Sequence, residues 1–141
     1  MPFITKQFNF CAAHRYWNAQ LSKKRNEEIF EKDINLHGHN YQLNVTIFGP
    51  INPESGFIIN LSDLNLLIKE KIIEVMDHSQ IEKDIEWFHD KQPSTENMVE
   101  FIWEQIACHI SRPARLHCIK LQETPTIYTE FYGPDKENDE K

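Results

Sequence analysis

Leu36-His37-Gly38-His39-Asn40-Tyr41-Gln42-Leu43-Asn44-Val45-Thr46-Ile47-Phe48 alternates from end to end, with His37, His39, Tyr41, Leu43, Val45 and Ile47 on one parity. Alternation over this length reads as a β-strand, where residues two apart project from the same face. His37 and His39 would therefore present two imidazoles side by side. A second alternating stretch, Phe3 to His14, puts Phe8 and Phe10 on one parity with His14 and leaves Asn9, Cys11 and Ala13 on the other. Laid beside its neighbour, it would supply a third imidazole. Three protein nitrogens plus one open position is the ligand set of a catalytic zinc, whereas structural zinc is usually closed by four ligands. The same parity turns Cys11 away from His14 and argues against it as a ligand.

Working outward, residues 15–35 are polar and irregular, with a short helix expected over Ser22–Phe30. A connection of this length is uncommon unless it has a role. Gly49-Pro50 and Asn52-Pro53-Glu54-Ser55-Gly56 mark turns, and Phe57-Ile58-Ile59 reads as a short third strand. Ser62 is the expected N-cap of a helix over Asp63–Met76, with Leu64, Leu67, Ile68, Ile72 and Val75 at helical spacing. A polar connection from Asp77-His78-Ser79 carries Trp87, Phe88 and Pro93. Ser94 or Thr95 then caps a second helix over Glu96–Ile110, with Val99, Ile102, Trp103, Ile106 and Ile110 as its buried stripe. Strands over Leu116–Glu123 and Ile127–Tyr132 close the chain. This order predicts an α+β fold, an antiparallel sheet with its helices on one face.

The chain has 141 residues, 40% hydrophobic and 26% charged, the size and composition of one soluble globular domain. No apolar run approaches the roughly 18 to 20 residues that span a bilayer, and the N-terminus lacks the basic segment and apolar core of a signal peptide. The cysteines, Cys11, Cys108 and Cys118, are odd in number and have no CxxC spacing, so a reduced, cytoplasmic protein with three buried thiols is expected. Net charge is −7, with no basic stripe, which argues against a nucleic-acid partner. Part of the acidity lies in residues 134–141, read as a solvated, disordered tail behind a domain over residues 1–133.

Phe10…Ala12-Ala13-His14, His37-Gly38-His39-Asn40-Tyr41, Gly56-Phe57-Ile58-Ile59-Asn60-Leu61…Asp63-Leu64, Asp77-His78, Ser94-Thr95-Glu96-Asn97 and Glu123-Thr124 follow one another in an order that resembles the 6-pyruvoyltetrahydropterin synthase family. That family includes the 6-carboxytetrahydropterin synthases of the queuosine pathway. The resemblance runs from Phe8 to Gly133. It implies a tunnelling fold (T-fold): a four-stranded antiparallel sheet with two helices on one face, assembling into a trimeric barrel, with two trimers stacked as a homohexamer. It also implies active sites between subunits and 7,8-dihydroneopterin triphosphate as substrate, with no nucleic acid and no membrane as partner.

Carried onto this chain, the resemblance implies that His14, His37 and His39 bind Zn2+, which would act as a Lewis acid on the substrate side chain. No carboxylate is expected among the ligands, leaving the ion its full charge. Glu123 would anchor the pterin, because a carboxylate accepts two parallel hydrogen bonds from an amidine-like edge. Thr95 and Glu96 open a helix whose free N–H groups suit a ligand oxygen, although ordinary capping explains them equally well. Asp77 and His78 would form a catalytic pair, the aspartate fixing the histidine tautomer. His89, His109 and His117 match nothing in the family. Lys23, Lys24 and Arg25 read as a solvated charge run.

One departure stands out. The family carries a cysteine shortly before the histidine pair, and there it moves protons along the substrate side chain. Here the stretch reads Phe30-Glu31-Lys32-Asp33-Ile34-Asn35-Leu36-His37, with Asp33 at the cysteine's place and Glu31 as the second candidate. An aspartic acid titrates near about 3.9 and a thiol near about 8.5, so Asp33 is the weaker base unless burial raises its pKa. Family members with a glutamate at this place cleave the side chain to 6-hydroxymethyl-7,8-dihydropterin. Three functions therefore stay open: a zinc-dependent lyase forming 6-pyruvoyltetrahydropterin or 6-carboxytetrahydropterin, a lyase that cleaves the side chain, and a pterin-binding protein that has lost its base. A purely structural zinc protein is a further contrast, because it would unfold on chelation.

Overall fold

The computed structural model describes residues 1–135, and the expected acidic tail falls almost wholly outside the described residues. Four strands form one antiparallel sheet in the order β1-β2-β3-β4: β1 Phe3–His14, β2 His37–Phe48, β3 Arg115–Thr124 and β4 Ile127–Phe131. The expected parity appears as burial. Phe10, Ala12 and His14 of β1 face inward with Tyr41, Leu43, Val45 and Ile47 of β2, and Ile119 and Leu121 of β3 continue the same face.

Four helices follow in chain order. α1 is Lys23–Phe30, capped by Ser22, whose Oγ accepts from the Arg25 N–H at 3.1 Å. α2 begins as Leu61–Ile68 and continues without a break through a wide π turn, Lys69–Ile73, into Glu74–Met76. α3 is the short Ile81–Asp84, and α4 is Thr95–Ile106. α4 packs on β3 and β4, while the end of α2 and the whole of α3 pack on β1. The hydrophobic core fills the space between this layer and the inner sheet face.

Several expectations shift in detail. Asn60, not Ser62, caps α2: its Oδ1 accepts from the N–H groups of Ser62 and Asp63, so the helix starts two residues early. The π turn accommodates an extra residue, which rotates the helix beyond it. Met76 is consequently fully buried and Val75 is 40% exposed, where the sequence pointed to Val75. α4 is capped by Ser94 and ends at Ile106; the rest of the expected span is a 3-10 turn, Ala107–His109.

Phe57-Ile58-Ile59 is not a strand. Its backbone bonds stay local, the Asn52 N–H reaching the Phe57 carbonyl at 2.9 Å and the Gly56 N–H the Asn52 carbonyl at 2.8 Å. Gly56 closes this turn at φ +77, a conformation other residues rarely adopt. Ile58 and Ile59 still pack against the core through their side chains. The three thiols also differ from expectation: Cys118 is buried, Cys11 lies half-buried on the outer sheet face, and Cys108 is exposed on the turn after α4.

Candidate metal centre

The antiparallel register sets His14 of β1 directly opposite His37 of β2, and Ala12 opposite His39. Directly paired residues share a face, so the three rings converge. Their centroids lie 4.5 Å (His14 to His37), 5.1 Å (His14 to His39) and 5.1 Å (His37 to His39) apart. His14 is wholly buried.

Two backbone carbonyls orient the cradle. His14 Nδ1 lies 2.7 Å from the Pro93 carbonyl oxygen, and His37 Nδ1 lies 2.7 Å from that of Asn35. A carbonyl only accepts, so each Nδ1 carries a hydrogen, and Nε2 is the ring atom turned inward as a possible ligand. This is the support that metal-binding histidines ordinarily receive. Within the cradle, His14 Nε2 and His39 Nε2 are buried without a hydrogen-bond partner. Buried polar atoms are rarely left so, and a cation at their focus would satisfy both. The residues present fit a zinc ion.

Glu123 is the fourth member. Its Oε1 lies 2.9 Å from His39 Nε2 and 3.4 Å from His14 Nε2, at ion-pair distance but not aligned for a hydrogen bond to either. The ligand atoms of His14, His37, His39 and Glu123 all fall within 4.8 Å of one another. A carboxylate therefore stands in a cradle where none was expected. Strand parity puts it there: Glu123 follows Ile119 and Leu121 on the inner face of β3.

The charges influence one another. Glu123's carboxyl sits below its usual range, chiefly through the His14 imidazole facing it, with His39 and His37 adding and burial opposing. His39 is likewise lowered, first by burial and then by the two other rings, while Glu123 works against the shift. Tyr16 and Tyr41 line the site and were not anticipated. Both phenols are pushed well above their ordinary value, first by burial and then by Glu123. Tyr16 packs its ring on His14 at 5.1 Å and on Phe30 at 5.6 Å, and Tyr41 places its hydroxyl 3.5 Å from His14 Nδ1.

The other sequence-predicted residues divide. Asp33, on a 3-10 turn over Glu31–Ile34, is exposed and brings its Oδ1 to 3.8 Å from His37 Nε2, at the rim of the cradle. Glu31 closes α1 at φ 53 and is exposed. Thr95 is buried and its hydroxyl is already engaged, 2.9 Å from Glu96 Oε1 and 2.8 Å from Thr129 Oγ1. It ties α4 to β4, and Glu96 is exposed beside it.

Asp77 and His78 are not brought to the cradle. Residues 77–80 run along the open edge of β1, with the His78 N–H on the Cys11 carbonyl at 2.6 Å and the Ala13 N–H on the Ser79 carbonyl at 2.8 Å. Asp77 Oδ1 accepts the Cys11 N–H at 2.9 Å, and its Oδ2 lies 2.9 Å from His78 Nδ1. Asp77 is lowered below its ordinary value, first by that Cys11 N–H and then, against the cost of burial, by His78. The His78 ring sits beside the Cys11 side chain, on the sheet face opposite the three imidazoles.

The model of the family "6-pyruvoyl tetrahydropterin synthase" matches residues 3–134. The 6-pyruvoyl tetrahydrobiopterin synthase of Drosophila melanogaster is 36% identical over 136 residues, covering 95% of this chain and 81% of that protein. The 6-carboxy-5,6,7,8-tetrahydropterin synthase of Haemophilus influenzae is 29% identical over 148 residues, covering 91% of this chain and 96% of that one. The solved structure of Caenorhabditis elegans 6-pyruvoyl tetrahydropterin synthase superposes with a TM-score of 0.86 at 31% identity, covering 95% of this chain and 98% of that one. With its four-stranded antiparallel sheet and its helical layer, the chain belongs to the 6-pyruvoyl tetrahydropterin synthase family, lyases of pterin biosynthesis.

Proposed function

We propose that this chain is a zinc-dependent lyase acting on the side chain of 7,8-dihydroneopterin triphosphate. The observation that carries the reading is the convergence of three imidazoles whose Nδ1 atoms are committed to carbonyls or whose Nε2 atoms are left without partners. Zinc held by His14, His37 and His39 would supply Lewis-acid polarisation of the substrate's side-chain hydroxyls. Glu123 is ionised at neutral pH and is placed to accept from the ring N–H and exocyclic amine of a pterin. Buried Tyr41 and the half-buried, stacked rings of Tyr16 and Phe30 line the site with aromatic surface. His78, held by Asp77, moves protons, and its place across the sheet supports service to a cradle on another copy of the chain. The assembly is accordingly a homohexamer built from trimeric barrels, working in the cytoplasm.

A second reading is favoured by one observation, the Asp33 carboxylate at 3.8 Å from His37 Nε2. An acceptor there suits removal of a hydroxyl proton followed by carbon–carbon cleavage to 6-hydroxymethyl-7,8-dihydropterin. Incubating the zinc-loaded protein with dihydroneopterin triphosphate and identifying the products by mass spectrometry decides between them. Inorganic triphosphate with 6-pyruvoyltetrahydropterin, or 6-carboxytetrahydropterin in its place, supports the first. 6-Hydroxymethyl-7,8-dihydropterin as main product supports the second. Tight pterin binding with no turnover in zinc would overturn both and leave a binding protein.

A further inference from the structure

On the outer sheet face, away from the three imidazoles, Cys11 Sγ lies 3.8 Å from His78 Nε2, 3.9 Å from His78 Nδ1 and 3.7 Å from Asp77 Oδ1. His78 Nδ1 is in turn 2.9 Å from Asp77 Oδ2. The three groups form one compact cluster of a thiol, an imidazole and a carboxylate. Cys11 and His78 line one shallow pocket with Ala13, Gly38, His39, Asn40 and Ser79. Cys11 is half-buried, and the His78 side chain is 79% exposed. A thiol beside an imidazole that a third group orients is the arrangement by which proteins ready a cysteine for proton transfer or attack.

The backbone holds this arrangement. Cys11 gives its N–H to Asp77 and its carbonyl to the His78 N–H, so thiol, imidazole and carboxylate are fixed to one another through main-chain bonds. His78 stands at φ 60, a conformation non-glycine residues seldom hold and one that clusters at functional sites. The stretch before His37, meanwhile, contains no cysteine.

We propose that Cys11 is the proton-transferring base of the reaction, supplying from β1 the thiol that the segment before His37 lacks. The inference rests on the lyase reading above. His78 takes the proton of the Cys11 thiol, and the positive charge that results stays on the imidazolium, stabilised by the Asp77 carboxylate beside it. The thiolate then removes a proton from a side-chain carbon of the substrate, and the electron pair of the broken C–H bond stays on the substrate. The new S–H returns that proton to the adjacent carbon, and the imidazolium restores its own to sulfur. Hydrogen is conserved throughout and no oxidant enters. Because Cys11 lies across the sheet from its own cradle, it works on substrate held by a second copy of the chain.

Turnover of the zinc-loaded oligomer is compared in wild type, Cys11→Ala, Cys11→Ser and Asp33→Asn, with Cys108→Ser as the control at an exposed thiol. A positioned base contributes about 100-fold or more. Cys11→Ala should therefore lower kcat by at least that factor with KM little changed and the oligomer intact, while Cys108→Ser keeps wild-type turnover. In parallel, iodoacetamide should label Cys11 faster than Cys108, an advantage lost in His78→Gln. Full activity in Cys11→Ala and Cys11→Ser, with collapse in Asp33→Asn, overturns the role of Cys11 and leaves the lyase reading standing. A wild-type protein that turns nothing over fails the lyase reading and the base with it. A second zinc equivalent that disappears in Cys11→Ala makes the cluster a metal site and likewise overturns the proposal.

Discussion

Glu123 Oε1 stands 2.9 Å from His39 Nε2, a carboxylate set against an imidazole that burial already keeps neutral. Both groups have folded-state pKa values below their ordinary ones. Each therefore binds fewer protons folded than unfolded, and stability must rise with pH through their titration range. His39's share is complete above about pH 6.5 and is lost as pH falls through its lowered value; that of Glu123 is complete above about pH 4.3 and fades below it. Melting temperature of the metal-free protein, scanned from pH 8 to pH 3.5, should fall in two stages. His39→Gln should remove the upper stage and Glu123→Gln the lower one. A flat profile in wild type would contradict the coupling.

Zinc affinity gives a more direct check on the cradle. His14, His37 and His39 each offer one Nε2, so His14→Ala, His37→Ala and His39→Ala should each weaken zinc binding by at least about 10- to 100-fold, the range seen even for outer supports. Competition with a chromophoric chelator measures it. Chelation should abolish turnover while the far-ultraviolet circular dichroism and cooperative melting persist, because the core lies between sheet and helices and not at the metal. Unfolding on chelation would indicate a structural ion instead.

The sheet and the histidine trio were legible because both depend on parity alone. Phe10, His14, His37, His39 and Tyr41 alternate with polar neighbours, and period two fixes their face whatever the rest of the chain does. What escaped the sequence depends on backbone atoms or on geometry between distant segments. The Pro93 and Asn35 carbonyls that orient His14 and His37 carry no side-chain signature. Neither does the π turn that exchanges Val75 for Met76. The Asp77-His78 pair was visible as a motif, but its place along the edge of β1, across the sheet from the metal centre, became clear only once residues 77–80 were seen to bond to Cys11 and Ala13.

Thr95 illustrates a residue whose structural task is explicit. Its hydroxyl is buried between Glu96 Oε1 and Thr129 Oγ1 and joins α4 to β4. Thr95→Val keeps the shape but strands the Thr129 hydroxyl, at a cost of about 1 to 2 kcal/mol. Urea unfolding should show that loss with an unchanged m-value. If zinc affinity is retained while pterin affinity falls more than a few-fold, Thr95 also contacts the ligand; unchanged pterin affinity confines it to joining α4 to β4.

The opposite placement of the two halves of the machinery leads to a prediction about complementation. His39 lies on the inner sheet face and His78 contacts Cys11 on the outer one, so the proposed site takes its metal and its proton carrier from different copies. His39→Ala should be inactive for want of metal and His78→Ala for want of its proton carrier. Co-expressed in equal amounts, the two should assemble into mixed oligomers. There, by random pairing, about a quarter of the composite sites receive an intact cradle from one copy and an intact His78 from another. Turnover should then recover to about a quarter of wild type, although each parent alone is inactive. Zinc content should track the fraction of His78→Ala protomers, since those keep all three imidazoles. No recovery in mixed oligomers of verified composition would mean that metal and proton carrier act within one chain, which would require residues 77–80 to leave the edge of β1.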